Sequence, residues 1–418
     1  MSFPQDITLD EALELLAATI PTHIEAEEVH LDSALGRILA EDVIAPLNVP
    51  QSDTAAVDGY AFYHQDLANA PLAVVGSIKA GHPFQGEVKS GVAYRIFTGA
   101  PMPKDPEGNG PDTIAMQEHC TIDETGHVTP PLDLKQGTNY RPLGENIAKG
   151  DIALAQGTRL GAAEIGLLAA IGKEKINVAR RLRIALISMG DEVAETGSPT
   201  GFKDGMIHDS NRPMLKQLLQ QDGHDVIDMG IIADHATALT AAFKDAANKA
   251  DVIISSGGSS EGDEDHAREA IENNQGVVDF WRLALKPGRP MLAGRLTGRL
   301  AGQTQDVPIY AVPGNPVAAF VCYRLLAAPL MGLRQGQPLT PLLKIPAPAD
   351  FSQRHRKGRA EYLRARITDQ GIVLNGRPGA GVLTSLTEAH GLVEIPADHD
   401  DVKKGDILHF IPFREAGL

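Results

Sequence analysis

The sequence is poor in the features that would place a protein outside a reducing interior. It has only two cysteines, Cys120 and Cys322, in 418 residues. They lie far apart and form neither a zinc spacing nor a disulfide framework, so free thiols in a reducing compartment are expected. No apolar run approaches the roughly 18 residues a membrane span needs, and the first residues lack the basic and apolar parts of a secretory leader. A cytoplasmic protein is the default expectation. Positive charge is in the minority, with 38 Lys and Arg against 54 Asp and Glu, a formal net charge of −16. Nucleic acid and anionic membrane would repel such a molecule, so neither is expected as a partner. An anionic substrate would need a local basic patch or a metal ion. A P-loop and a dinucleotide-binding glycine fingerprint are both missing.

What is present suits a globular α/β or α+β protein: 43% hydrophobic residues and 42 glycines. The length exceeds what one core serves, and about two to four domains are expected. Thr8-Leu9-Asp10-Glu11 is a capping box opening a helix that Pro21 closes, and a second helix is predicted over 31–39. From Pro50 to Gly144, short strands broken by Gly and Pro (Leu72–Ile78, Val92–Thr98, Thr113–Glu118) indicate a small β-rich domain. A helix over Ala162–Ala170 follows, so the β-rich piece reads as an insertion. From Arg183 to Leu330 strands and helices alternate, which predicts a three-layer α/β domain with a mostly parallel sheet. After Gln335-Gly336-Gln337-Pro338 the chain becomes strand-like again. The predicted parts are 1–49 with 145–178 (elongated, helical), 50–144 (inserted, β-rich), 179–331 (central α/β, binding) and 332–418 (C-terminal β).

One stretch, Asp251 to Ile271, combines the features of an anion site. A β-branched strand, Val252-Ile253-Ile254, runs into Ser255-Ser256-Gly257-Gly258, where backbone amides can approach a ligand. Glu261, Asp263, Glu264 and Asp265 follow, and would repel an anion unless a metal ion sits between them. An ordinary strand–loop–helix connection with an acidic first turn fits the same residues. Further polar clusters also follow strands: Ser188-Met189-Gly190-Asp191-Glu192, Lys286-Pro287-Gly288-Arg289-Pro290 and Pro313-Gly314-Asn315-Pro316. In doubly wound sheets ligands sit beyond those strand ends. Asp58-Gly59 reads as a turn into a strand, and Asp209-Ser210-Asn211 as a helix cap. Near the C-terminus, alternation puts Tyr362, Arg364 and Arg366 on one strand face, either a solvated face or a guanidinium edge for an oxyanion.

Taken in order, these clusters resemble the molybdopterin molybdenumtransferase family, the MoeA proteins and the gephyrin E domain. The matching segments are Val57-Asp58-Gly59-Tyr60-Ala61, Thr98-Gly99-Ala100-Pro101-Met102-Pro103, Met116-Gln117-Glu118, Arg141 through Glu145, Gly190-Asp191-Glu192, Asp209-Ser210-Asn211, Ser256-Gly257-Gly258, Lys286 through Pro290 and Pro313 through Pro316. The resemblance implies the four-part architecture above and a homodimer with its cleft between subunits. It implies insertion of molybdenum from molybdate into adenylyl-molybdopterin with release of AMP, dependent on Mg²⁺. It also suggests the upstream molybdopterin adenylyltransferase as a partner.

By the same resemblance Asp58, Glu192, Asp234, Asp265 and Lys286 are the catalytic set, with Asp58, Glu192 and Asp265 on the metal. Gly257 and Gly258 would face the pterin phosphates. Lys286 and Arg289 match paired lysines for molybdate, joined by Arg364 or Arg359 and Ser385. Thr98, Arg141, Arg282, Pro313 and Pro316 would line the cleft. The chain departs from the family pattern at Asn146, Val57, Met189, Arg289 and Ser259-Ser260-Glu261. Asn146 removes a carboxylate and Glu261 adds one, which leaves a pterin-binding scaffold without turnover as the alternative.

Overall fold

The structure, a computed structural model, describes residues 4–21, 24–197, 204–257, 266–300, 302–376 and 379–413. By its contacts the chain divides into two compact units, one of Met1–Glu27, Gly36–Ala40 and Asn177–Leu418, the other of Glu28–Leu35 and Glu41–Ile176.

The first unit is built on a seven-stranded sheet. Its order is Gln5–Ile7, Val277–Leu283, Leu292–Leu300, Gln303–Val312, Val252–Ser256, Arg183–Met189 and Asp225–Ile232. The last four strands pair in parallel, whereas Leu292–Leu300 runs antiparallel to both its neighbours. The sheet is thus mostly parallel, as predicted, with Gln5–Ile7 and Leu292–Leu300 additional strands that the alternation of elements did not reveal. Arg183–Met189 is buried from Ile184 onward because both faces are covered. Ile184 and Leu186 pack into one core with Leu215, Leu219 and Tyr310, while Ala185 and Ile187 pack into the other with Leu239, Phe243 and Ile271. A strand alternating between two dry layers has no polar face, which is why its sequence reads as a continuous apolar run.

At the starting ends of these strands sits Asp251, fully buried, accepting 2.8 Å hydrogen bonds from both terminal nitrogens of Arg180 and from the Arg183 backbone. Among the described residues, one helical stretch, Pro316–Arg334, is long and apolar enough to cross a membrane, and it is mostly buried inside the protein. It is the central core helix, passing through a π turn at Tyr323–Ala327 before Pro329. The C-terminal sheet, ordered Leu285–Lys286, Ala360–Thr368, Gly391–Ile395, Ile407–Pro412 and Ile345–Pro348, closes over its own core of Ala365, Ile372, Val393 and Phe410.

In the second unit a six-stranded sheet runs Thr113–Met116, Gly59–Phe62, Val92–Ile96, Leu72–Ile78, His127–Thr129, Thr121–Ile122. Its two faces bury Ala61, Tyr94 and Ile114 on one side and Tyr60, Phe62 and Ala115 on the other. The helix Ala162–Ala170 forms as predicted. The helix expected over 31–39 does not. Only a single 3₁₀ turn, Leu31–Ser33, forms there, because Gly36 takes a left-handed φ of 75° and Leu35, which a helix would have buried, is exposed.

Candidate active site

A cavity of about 410 Å³ opens at the carboxyl ends of Arg183–Met189, Val252–Ser256 and Gln303–Val312. From Arg183–Met189 the chain moves outward to Asp225–Ile232, then returns across to Val252–Ser256 and Gln303–Val312. Connections therefore diverge at this point, which leaves a crevice beyond the strand ends. Glu192, Asp234, Gly257, Pro313 and Pro316, all singled out from the sequence, line it together. Gly257 has φ 93°, and a Cβ there would lie 2.6 Å from the Met189 carbonyl oxygen, so only glycine brings this backbone to the wall.

Asn211 ties the wall together. Its amide nitrogen donates to Ser256 Oγ and to the Gly314 carbonyl, each at 2.7 Å, so one side chain bridges two strand-end loops. The sequence-based role for Asp209-Ser210-Asn211 needs dividing. Asp209 does the capping, accepting from the Arg212 backbone N–H at 3.0 Å, and its charge is met by the Arg212 guanidinium. Asn211 lines the cavity beside Asp209 and Ser210, and its Oδ1 is buried without a hydrogen-bond partner among the described residues. The ordered family match at 209–211 was the available signal for it.

A cationic cluster surrounds Asp6. Arg289 donates to its two carboxylate oxygens at 2.7 and 3.2 Å, and the fields of Arg282 and Arg359 also reach it. The Arg289 hydrogen bond is the main reason the Asp6 carboxyl lies below its usual value. Arg282 stacks on Trp281, its guanidinium 4.2 Å from the ring centroid. Lys286, half exposed, donates to buried Glu361 at 3.2 Å. Arg364 does not stand on a solvated strand face. It is buried, donates to Ser385 Oγ at 2.9 Å and to the Gly379 carbonyl at 3.1 Å, while Arg366 is exposed. Alternation breaks down because the 379–385 segment covers one end of the strand. That segment also meets the cavity loop, since the Val317 N–H donates to the Ala380 carbonyl at 3.0 Å. Asp6 and Glu361 are the site residues that sequence reasoning missed.

Asp58, Thr98 and Arg141 belong to the second unit. Asp58 accepts from the Thr98 N–H at 2.8 Å and its hydroxyl at 2.7 Å, which lowers the Asp58 carboxyl below its usual range. Arg141 pairs with Glu145 at 2.6 Å. Asp58-Gly59 turns into a strand as expected, the strand starting at Gly59, where a Cβ would lie 2.0 Å from the Ala115 carbonyl oxygen. Gly258, Glu261 and Asp265 lie outside the described residues.

Among the described residues no three His, Cys, Asp or Glu side chains gather around a metal position. The cavity lining carries three carboxylates, Glu192, Asp234 and the Arg212-paired Asp209, with no lysine or arginine among its described residues. That donor set fits a magnesium ion, which typically takes one or two carboxylates and completes its shell with water and substrate phosphates.

Fold and site together define a class: three-layer α/β proteins with a cleft beyond the carboxyl ends of parallel strands. Three family profiles match in order: the MoeA N-terminal region (domain I and II) over residues 7–172, a probable molybdopterin binding domain over 185–332, and the MoeA C-terminal region (domain IV) over 346–413. A molybdopterin molybdenumtransferase of Haemophilus influenzae is 34% identical over 416 residues, covering 97% of this chain and 98% of that protein. One from Nostoc is 35% identical, covering 94% of this chain and 90% of that protein. The crystal structure of a molybdopterin biosynthesis MoeA protein from Pyrococcus horikoshii superposes with a TM-score of 0.80 at 26% identity, covering 98% of this chain and all of that one. The chain belongs to the molybdopterin molybdenumtransferase family.

Proposed function

We propose that the chain inserts molybdenum into molybdopterin, with adenylyl-molybdopterin and molybdate as its two substrates and AMP as the leaving group. It is a transferase of molybdenum cofactor biosynthesis. The observation that carries the substrate assignment is the pairing of two unlike sites. One is an acidic cavity at the strand ends with no lysine or arginine among its described residues, and the other is an arginine and lysine cluster on the 282–289 segment. A phosphoanhydride needs its charge neutralised during cleavage, whereas a tetrahedral dianion needs fixed cations.

In this reading Glu192, Asp58 and Asp265 would hold Mg²⁺, with Asp234 lining the same cavity as Glu192, and the metal would supply charge neutralisation at the phosphates. Gly257 and Gly258 offer their backbone to the phosphates. Lys286, Arg289, Arg364 and Ser385 receive molybdate. Thr98 and Arg141 are further substrate-binding residues in this reading, and Asp58 is supplied by the second subunit of a homodimer. The four-part division, the cytoplasmic location and hand-over from the upstream adenylyltransferase belong to the same proposal.

The test is AMP release from adenylyl-molybdopterin by purified protein with Mg²⁺ and molybdate. Release that depends on both ions, and falls by more than about tenfold in Glu192→Gln, is expected. Tight pterin binding without AMP release under any divalent metal would refute the enzyme and leave a binding scaffold.

A further inference from the structure

Glu361 carries its charge where stability gives no reason for one. Strand alternation puts it on the face shared with Leu363 and Ala365, which packs into the C-terminal core, and its side chain is 4% exposed. An apolar residue would fill that position with no carboxylate to desolvate. Its Oε1 takes the Lys286 ammonium at 3.2 Å and lies 3.4 Å from Nδ1 of His355, whose side chain is fully buried. Oε2 of Glu361 and both ring nitrogens of His355 are buried with no hydrogen-bond partner among the described residues. Three orphaned polar atoms in one cluster are costly, and such clusters ask for a role beyond packing.

The backbone makes the contact specific. Lys286 and Glu361 are register partners in the parallel bridge between Leu285–Lys286 and Ala360–Thr368. The carboxylate therefore comes from a rigid strand, and the ammonium from the end of the cationic segment. A lysine stem has many rotamers, and fixing its tip in advance removes that entropic cost from ligand binding. An ammonium has three N–H donors. With one on Glu361, two remain for an oxyanion.

We propose that Glu361, backed by His355, is a positioning residue that holds Lys286 ready for the tetrahedral oxyanion. This rests on the reading of Lys286 as a molybdate ligand. Glu361 touches no reacting atom; it acts through the ammonium it orients.

The test is a double-variant cycle on the full chain, read by molybdate titration calorimetry and by AMP release with each substrate varied in turn. Glu361→Gln should raise the Kd and KM for molybdate about tenfold and leave the KM for adenylyl-molybdopterin within about twofold. Lys286→Met should also weaken molybdate binding, and adding Glu361→Gln to it should change the molybdate Kd by less than about twofold. Additive losses in the double variant, or equal rises in both KM values, would mean that Glu361 serves structure alone. An unchanged molybdate Kd in Glu361→Gln, with Lys286→Met impaired, would overturn the proposal while sparing the Lys286 reading. An unchanged molybdate Kd in Lys286→Met would remove both. Should Glu361→Gln not fold, Glu361→Asp, which draws the carboxylate back by one methylene, should still weaken molybdate binding selectively, and an unchanged Kd there counts against the proposal.

Discussion

Replacing Asp6 with asparagine should tighten the binding of molybdate. Asp6 is the anion that already sits on Arg289, through contacts of 2.7 and 3.2 Å, with Arg282 and Arg359 nearby. Asp6 occupies two donors of the Arg289 fork, whereas Glu361 takes only one of the three on Lys286, so an oxyanion approaching Arg289 must displace its carboxylate and is repelled by it meanwhile. The pair is partly exposed, 29% on the arginine side and 42% on the aspartate side, so it is worth about 0.5 to 1 kcal/mol, near the upper end for exposed pairs. Releasing that competition lowers the molybdate Kd by about two- to fivefold. Asparagine suits the substitution because it matches the shape and tolerates the left-handed φ of 53° that Asp6 adopts. The assay is calorimetric titration with molybdate at low and raised ionic strength, where the gain should shrink as salt screens the competing charge. An unchanged or weaker affinity in Asp6→Asn would show that Arg289 is not presented to the oxyanion.

Asp251→Asn should destabilise the protein by about 3 to 5 kcal/mol near neutral pH, because it leaves Arg180 without its buried counter-charge. Chemical denaturation measures this, and the molybdate Kd should not move. Burial pushes the Asp251 carboxyl up, but hydrogen bonds from Arg180 and Arg183 outweigh it and leave the group below its usual value. Its contribution is therefore complete above the unfolded value of about 3.9 and is lost as pH falls through the folded one; the variant should lack that acid-dependent loss. Gly257→Ala should cost about 1 to 3 kcal/mol of stability from its φ of 93° alone, with further loss from the 2.6 Å approach to the Met189 carbonyl. AMP release should fall in step, and full activity in this variant would argue that the loop wall is not used. Asn211→Ala removes two 2.7 Å hydrogen bonds and should weaken pterin binding more than molybdate binding, read by separate titrations. Equal weakening of both would place Asn211 in general stability.

Much of the architecture was legible because it depends on short-range patterns. The capping box at Thr8 formed as written, with Glu11 N–H to Thr8 Oγ1 at 3.2 Å and Thr8 N–H to Glu11 Oε2 at 2.8 Å. The alternation of apolar runs and helical stretches after Arg183 identified most of the central sheet. Leu292–Leu300 escaped because it joins its neighbours antiparallel, outside the strand–helix rhythm. The helix expected over 31–39 failed at Gly36, whose backbone preference outweighed a weak apolar spacing.

By itself the sequence determined which residue types follow each strand, and so the chemistry available at the strand ends: amides from glycine, carboxylates from Glu192 and Asp234, cations from Lys286 and Arg289. Their pairing was settled only in three dimensions. Asp6 meets Arg289 across 283 positions, and Glu361 meets Lys286 across 75. Spacing along the chain reports local backbone geometry, whereas a charge acts on whatever lies within a few ångströms. Only the folded sheet brings such distant carboxylates to the cations they control.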